Sequence, residues 1–433
     1  MYPKDCLAVR PPMGWNSWDC YGAAVTEEQL LANAAYVAEN LKDYGYEYIV
    51  CDIQWYEPNA KSNEYNNFTE LCMDEYSRLI PAENRFPGSK GGKGFKPIAD
   101  RIHAMGLKFG IHILRGIPRQ AVHMNTALKN TSRTAREIAH PFSLCSWNTD
   151  MYGVDCGKEG AQAYYDSLFE LYASWDVDFV KVDDIAVTEF RRDNLYSAKD
   201  EIEMIRRAID GCGRDMVLSL SPGPALLEQA EHLAKHANMW RMTGDFWDRW
   251  DKLYAMFERC EKWQPHVKAG CWPDCDMLPL GKISKNSAYI GQKDRYSNFT
   301  VDEQKTMLTL WSIFRSPLFL GGELRENREI DLELITNRDI LDLDRFSTNN
   351  RQLYRTQTEA AWTCLDKDGN DVIAVFNLAD EERPIDFNLQ EYGFDGEYKA
   401  VDLWTNDVHD YIKSSVRFII PRHAVKALRL QKK

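Results

Sequence analysis

The fold turns on the run Phe179-Val180-Lys181-Val182-Asp183-Asp184, a short β-rich run of Phe and Val broken by Lys181, too short for a helix and closed by two acids. Seven other runs share that character. The candidate strands are Met13–Trp18, Tyr48–Trp55, Leu107–Leu114, Phe179–Asp184, Met216–Ser221, Met239–Asp245, Gly270–Met277 and Pro317–Gly321. Near-continuous apolar runs mark strands covered on both faces, as in a parallel sheet wrapped by helices. Between them lie amphipathic stretches. Thr26–Tyr44 places Leu30, Leu31, Ala34, Val37 and Leu41 on one face, and Lys96–Met105, Gln162–Trp175, Glu201–Ile209, Leu226–His236 and Val301–Phe314 follow the same period. Eight strands alternating with helices predict a (β/α)8 TIM barrel. An open doubly wound sheet would carry a glycine-rich phosphate turn after its first strand, and none is present.

Beyond Asp344 the texture changes to short runs rich in Val, Ile, Thr, Tyr and Phe: Leu353–Gln357, Ala360–Leu365, Asp371–Asn377, Arg383–Phe387, Glu397–Asp402 and Val416–Ile420. Lys367-Asp368-Gly369-Asn370 is a hairpin signal. The expected architecture is therefore an α/β barrel domain over residues 1–345 and a C-terminal antiparallel β-sandwich over residues 346–433. Gly116–Cys156 reads as a long, irregular, polar insertion after the third strand, at the end of a barrel where loops shape active sites.

A net charge of −13 argues against a nucleic-acid or anionic-membrane partner, which select for basic surfaces. No apolar stretch approaches the length of a membrane span. Met1–Trp18 lacks a basic start followed by an apolar run, and the eleven cysteines are odd in number and scattered through apolar segments. A cytoplasmic protein with free thiols is the expectation. The triplets beginning at Asn67, Asn130 and Asn298 match glycosylation sequons but carry little weight without a secretion signal. A homo-oligomer is left open. His232 and His236 have a metal-ligand spacing, yet no acidic or cysteine ligand accompanies them, so they read as a solvated helix face. Cys271 and Cys275 read as packing thiols and Asp380-Glu381-Glu382-Arg383 as a solvated loop. No metal and no cofactor is expected.

The C-terminal strand ends carry Asp52, His112, Lys181 with Asp183 and Asp184, Ser221, Arg241 with Asp245, and Asp276. Some of these acids could be helix N-caps, a reading that stays open for Asp52 and Asp184. Asp183 and Asp245 each close an apolar strand beside a cation, Lys181 or Arg241. Two carboxylates across a barrel mouth suit glycoside hydrolysis, one attacking the anomeric carbon while the other protonates the departing oxygen. Lys181 would keep its neighbour ionised, and Arg241 would orient hydroxyls through its forked donors. The 13 Trp and 21 Tyr offer flat faces for sugar rings.

Met13-Gly14-Trp15-Asn16-Ser17-Trp18, Lys181-Val182-Asp183, Trp240-Arg241-Met242-Thr243-Gly244-Asp245 and Trp272-Pro273-Asp274-Cys275-Asp276-Met277-Leu278 resemble the motifs of glycoside hydrolase family 27, the melibiases. Ser316-Pro317-Leu318-Phe319 and His423-Ala424-Val425 extend the resemblance across the chain. It implies a barrel with a C-terminal sandwich, a retaining double-displacement mechanism, a small oligosaccharide or glycoside substrate and no metal. Asp183 is then the nucleophile and Asp245 the acid/base. Trp18 forms an apolar wall, Asp52, Lys181, Arg241 and Asp276 bind hydroxyls, and Met277 lines the pocket. His112 stands where the family commonly has tyrosine.

Two departures bear on specificity. The family usually ends its second strand with paired acids, whereas Asp52 is followed here by Ile53. The missing acid helps bind the hydroxymethyl oxygen of galactose. Its loss points to a β-L-arabinopyranoside, whose ring matches α-D-galactose without that arm, unless Ile53 merely packs locally. Ser221 falls where galactosidases often place a bulky acid, which leaves α-N-acetylgalactosaminidase activity open. Cys156 resembles a pocket-side cysteine that is disulfide-bonded in secreted relatives, but Ile185 occupies its partner's position. A sugar-binding protein without catalysis is the rival from another class; retention of both Asp183 and Asp245 counts against it.

Overall fold

In the computed structural model, which describes residues 2–62, 64–285 and 295–432, eight parallel strands form a barrel. They are β1 Met13–Asn16, β2 Tyr48–Cys51, β3 Lys108–Leu114, β4 Phe179–Asp183, β5 Val217–Leu220, β6 Met239–Arg241, β7 Trp272–Asp274 and β8 Leu318–Leu320. Neighbours in the barrel are neighbours in sequence, and β8 pairs with β1. Closure between β7 and β8 is made just past β7, where the Leu278 amide donates to the Phe319 carbonyl at 2.8 Å. Gly14 permits the close approach of β1 to β2: a Cβ there would meet the Tyr48 carbonyl oxygen at 2.2 Å. The rings of Tyr48, Phe179 and Phe319 fill the barrel's lower interior, with centroids 5.3–6.3 Å apart.

The outer helices follow the sequence pattern. Glu27–Asn40 starts at a capping box in which the Thr26 hydroxyl accepts from the Gln29 amide, and it buries Leu30, Leu31, Ala34 and Val37. Val301–Phe314 has the same device in Thr300 and Glu303. The helix Trp250–Trp263 is additional to the sequence expectation, although its buried Leu253, Met256, Phe257 and Cys260 keep helical spacing.

The insertion after β3 is not irregular. Ile117–Pro118, Ala139–Leu144 and Met151–Val154 form a small antiparallel sheet, with the short helices Arg119–Met124 and Ala135–Ile138 between them. Its strands, two to six residues long and interrupted by Pro118, Pro141 and Gly153, carry no run long enough to register as strand. The helix face around His232 and His236 also differs from expectation. His236 is buried and Glu203, from the helix Lys199–Gly211, lies 3.2 Å from His232 Nε2, so tertiary packing brings an acid to the pair. No helix among the described residues is long and apolar enough to cross a membrane.

The C-terminal part is an antiparallel β-sandwich. One sheet runs Thr348–Arg355, Glu359–Leu365, Asp371–Asn377, Val425–Lys432, Tyr398–Asp402, Val408–Ile412, and the other pairs Arg383–Asn388 with Ser415–Ile420. Val408–Ile412 and Val425–Lys432 were not expected: the first is almost wholly exposed and the second is rich in Lys and Arg. Ile373, Val375, Phe387, Phe418 and Leu428 sit in the shared core. His423 joins the sandwich to the barrel. Its ring stacks on Trp250 at 3.4 Å, its Nδ1 lies 2.7 Å from Glu303, and its carbonyl accepts from the Thr306 hydroxyl at 2.7 Å.

Candidate active site

A cavity of about 270 Å3 opens at the C-terminal ends of the barrel strands. Ten of the eleven expected site residues line it: Trp18, Asp52, Ile53, His112, Lys181, Asp183, Arg241, Asp245, Asp276 and Met277. Ser221 does not. It is buried behind the wall, its hydroxyl has no partner among the described residues, and Pro222 and Gly223 take the surface there. Gly223 is pressed against the strand-6 loop, where a Cβ would meet the Thr243 carbonyl oxygen at 2.0 Å.

The site is built around two linked carboxylates. Asp52 sits just past β2 and accepts from Asn16 Nδ2, from Lys181 Nζ and from the Ile53 amide, each at 2.8 Å. Asn16 Oδ1 in turn accepts from the Trp18 amide at 2.9 Å, which ties the aromatic wall to the same acid. Burial works against ionisation of Asp52, but Lys181 and His112 outweigh it and hold the carboxyl below its ordinary range. Burial likewise opposes the Lys181 ammonium, and Asp52 and Asp183 more than offset it.

Asp183 closes β4. His112 Nε2 lies 3.2 Å from its Oδ2, and the Asp184 amide donates to its Oδ1 at 2.9 Å. Burial raises this carboxyl, yet the hydrogen bond and charge of His112, with Lys181, drive it well below the usual carboxylate range. Asp245 stands opposite in exposure: its side chain is 66% accessible against 16% for Asp183. One acid is fixed in the floor and the other stands at the mouth. Arg241 bridges Asp245 and Asp276 at 2.9 Å each, and Asp276 Oδ2 accepts from the Phe246 amide at 2.8 Å.

The helix-cap reading fails for Asp52 and Asp184. Asp184 pairs with Arg115 at 2.9 Å, the next long helix begins only at Lys199, and Asp52 is bound to Lys181 and Asn16. Gln54, Asp184 and Asp276, which follow β2, β4 and β7, all have left-handed φ angles of 61°, 54° and 80°. Such backbone costs about 1–3 kcal/mol per residue and clusters where function demands it.

Several cavity residues were not anticipated. Asp19, beside Trp18, has an Oδ2 with no partner among the described residues; burial, then Asp276, pushes its carboxyl well above the usual range. Tyr65 stacks on Trp18 at 6.2 Å and approaches Trp147 at 5.8 Å, forming an aromatic rim. Trp147 lies in the insertion, so an aromatic within a long loop was the available signal; Tyr65, in a polar loop, offered none. Cys156 is half-buried and does not line the cavity, and all eleven cysteines are unpaired thiols. Cys275 meets Cys260 at 3.7 Å in the core.

This chain belongs to glycoside hydrolase family 27. Residues 147–345 match the family model for alpha galactosidase A, and residues 358–430 match the alpha galactosidase C-terminal beta sandwich domain. A GH27 β-L-arabinopyranosidase from Geobacillus stearothermophilus is 54% identical with a TM-score of 0.97, covering 99% of this chain and 98% of that one. A variant of that enzyme has been solved in complex with arabinose. A Bacillus halodurans C-125 protein described as an α-N-acetylgalactosaminidase is 52% identical with a TM-score of 0.88, covering 98% of this chain and 97% of that one. Alpha-galactosidase 2 of Arabidopsis thaliana is 22% identical over 440 residues, covering 100% of this chain and 92% of that protein. The protein is thus an α-galactosidase-like glycosidase.

Proposed function

We propose that residues 1–345 form the catalytic domain of a retaining exo-glycosidase that prefers terminal β-L-arabinopyranosides over α-D-galactosides, with residues 346–433 as its sandwich. The observation that carries the catalytic half is the contrast between the ionised, buried Asp183 and the exposed Asp245. Asp183 attacks the anomeric carbon while Asp245 gives its proton to the departing oxygen. The C1–O bond to the aglycone breaks as the bond to Asp183 forms. Water then attacks C1, Asp245 takes a proton from it, and Asp183 leaves as a carboxylate. Lys181 and Asp52 present a fixed donor–acceptor pair to the ring hydroxyls, and Arg241 and Asp276 hold the opposite side.

Ile53 supports the pentose preference. It lines the cavity next to Asp52, and an isoleucine cannot accept a hydrogen bond from a hydroxymethyl group. An unpaired substrate hydroxyl costs about 1–3 kcal/mol. The β-L-arabinopyranosidase activity of the Geobacillus relative is in keeping with this reading. A second reading, α-N-acetylgalactosaminidase, draws on the end of the fifth strand, where Pro222 and Gly223 rather than a bulky acid line the cavity. Rates on nitrophenyl β-L-arabinopyranoside, α-D-galactoside and α-N-acetylgalactosaminide separate the two, and NMR of the first-formed anomer tests retention. Faster turnover of the galactoside or acetamido sugar would overturn the preference, and an inverted product would overturn the mechanism.

A further inference from the structure

The two histidines discounted in sequence meet an acid in space. His232 and His236 occupy successive turns of the helix Ala230–His236, and Glu203 faces them from the neighbouring helix Lys199–Gly211. One ligand atom from each of the three lies within 4.8 Å of the other two. None of these residues lines the sugar cavity.

Both imidazoles are oriented as metal ligands are. His236 Nδ1 meets the His232 carbonyl oxygen at 2.8 Å, which leaves Nε2 as its ligand atom. His232 Nδ1 meets the Tyr196 hydroxyl at 2.8 Å, and its Nε2 points to Glu203 Oε1 at 3.2 Å. Metal-bound histidines are held in this way, with the outer nitrogen hydrogen-bonded to a carbonyl or hydroxyl and the inner one turned toward the other ligands. The rings lie 4.1 Å apart between centroids.

We propose that Glu203, His232 and His236 bind a divalent transition-metal ion of the zinc class, bracing two outer helices away from the active site. Two imidazole nitrogens and one carboxylate oxygen suit that class, with water as the fourth ligand. Arg207 approaches the other Glu203 oxygen at 3.8 Å, so Oε1 is the oxygen left for the metal. The second such grouping among the described residues, Asp100, His103 and Asp176, differs: Lys96 bonds to Asp100 and Asp176, Arg214 to Asp176, and His103 to Asp178. Cations already occupy those carboxylates.

The test is zinc chloride titration, by calorimetry and by thermal melting, of EDTA-treated full-length protein on a Cys6→Ser background that removes the exposed thiol. We expect one saturable site and a higher melting temperature with zinc, and both effects lost in Glu203→Gln and His232→Gln. Their melting in EDTA and their glycosidase activity should match the parent. Tyr196→Phe should bind about tenfold more weakly. Absence of saturable binding, equal binding of calcium, or binding that survives Glu203→Gln and His232→Gln but disappears in His103→Gln would each overturn the proposal.

Discussion

His112 Nε2 lies 3.2 Å from Asp183 Oδ2 while His112 Nδ1 has no partner among the described residues, so the imidazole directs its hydrogen bond to Asp183. A carboxyl with a depressed pKa is ionised above that value and becomes protonated as pH falls through it. With His112 present, Asp183 stays charged through the acid range in which ordinary carboxylates titrate. In His112→Phe that hold is lost, and the acid limb of kcat/KM should move to higher pH. Rate profiles between pH 3 and 8 measure it; an unmoved limb would show that His112 does not set the charge of Asp183.

If Asp245 is the proposed proton donor to the leaving group, its removal should matter most where the leaving group is poor. Asp245→Asn is expected to cost about 10²–10⁴-fold in kcat on alkyl glycosides and far less on dinitrophenyl glycosides. Equal losses on both would place Asp245 in binding instead.

Asp183→Ala should lose on the order of 10⁴-fold or more of the turnover. Azide entering the vacated space should restore a glycosyl azide of inverted configuration, identified by NMR. No rescue, with wild-type-like folding, would count against Asp183 as nucleophile.

The barrel was legible because its strands are covered on both faces. Tyr48–Cys51 and Phe179–Asp183 are apolar enough to stand out, and the polar residue that ends each run had to lie at the mouth. The charged part of the site followed from that placement. What sequence could not supply was contact between distant segments. Tyr65 and Trp147 meet across 82 residues of chain, and Glu203 joins His232 through helix packing. Ser221 shows the reverse: a strand-end position is no guarantee of facing the cavity, because the Pro222–Gly223 turn covers it.

Ile53→Asp restores an acceptor beside Asp52. The ratio of kcat/KM for α-D-galactoside over β-L-arabinopyranoside should rise by about 5- to 150-fold, the equivalent of one recovered hydroxyl bond. Paired assays on the two nitrophenyl glycosides give the ratio directly. An unchanged ratio would mean that Ile53 does not face the hydroxymethyl position.

His423→Ala removes the stack on Trp250 and leaves Glu303 without its partner at the joint between barrel and sandwich. A loss of about 1–3 kcal/mol in unfolding free energy is expected, read by urea denaturation, with kcat retained. A fall in kcat without loss of stability would instead link the sandwich to catalysis.

The aromatic plug of Tyr48, Phe179 and Phe319 gives the cavity a single door. In the proposed double displacement, a glycoside enters with its terminal sugar leading, and the aglycone, nearest the door, departs while the sugar is still attached to Asp183. Release is therefore ordered, alcohol first and monosaccharide last, and the vacated entrance admits whichever acceptor arrives next. Water gives hydrolysis; a concentrated alcohol or second sugar there gives a new glycoside instead, so this architecture lends itself to synthesis as well as to degradation.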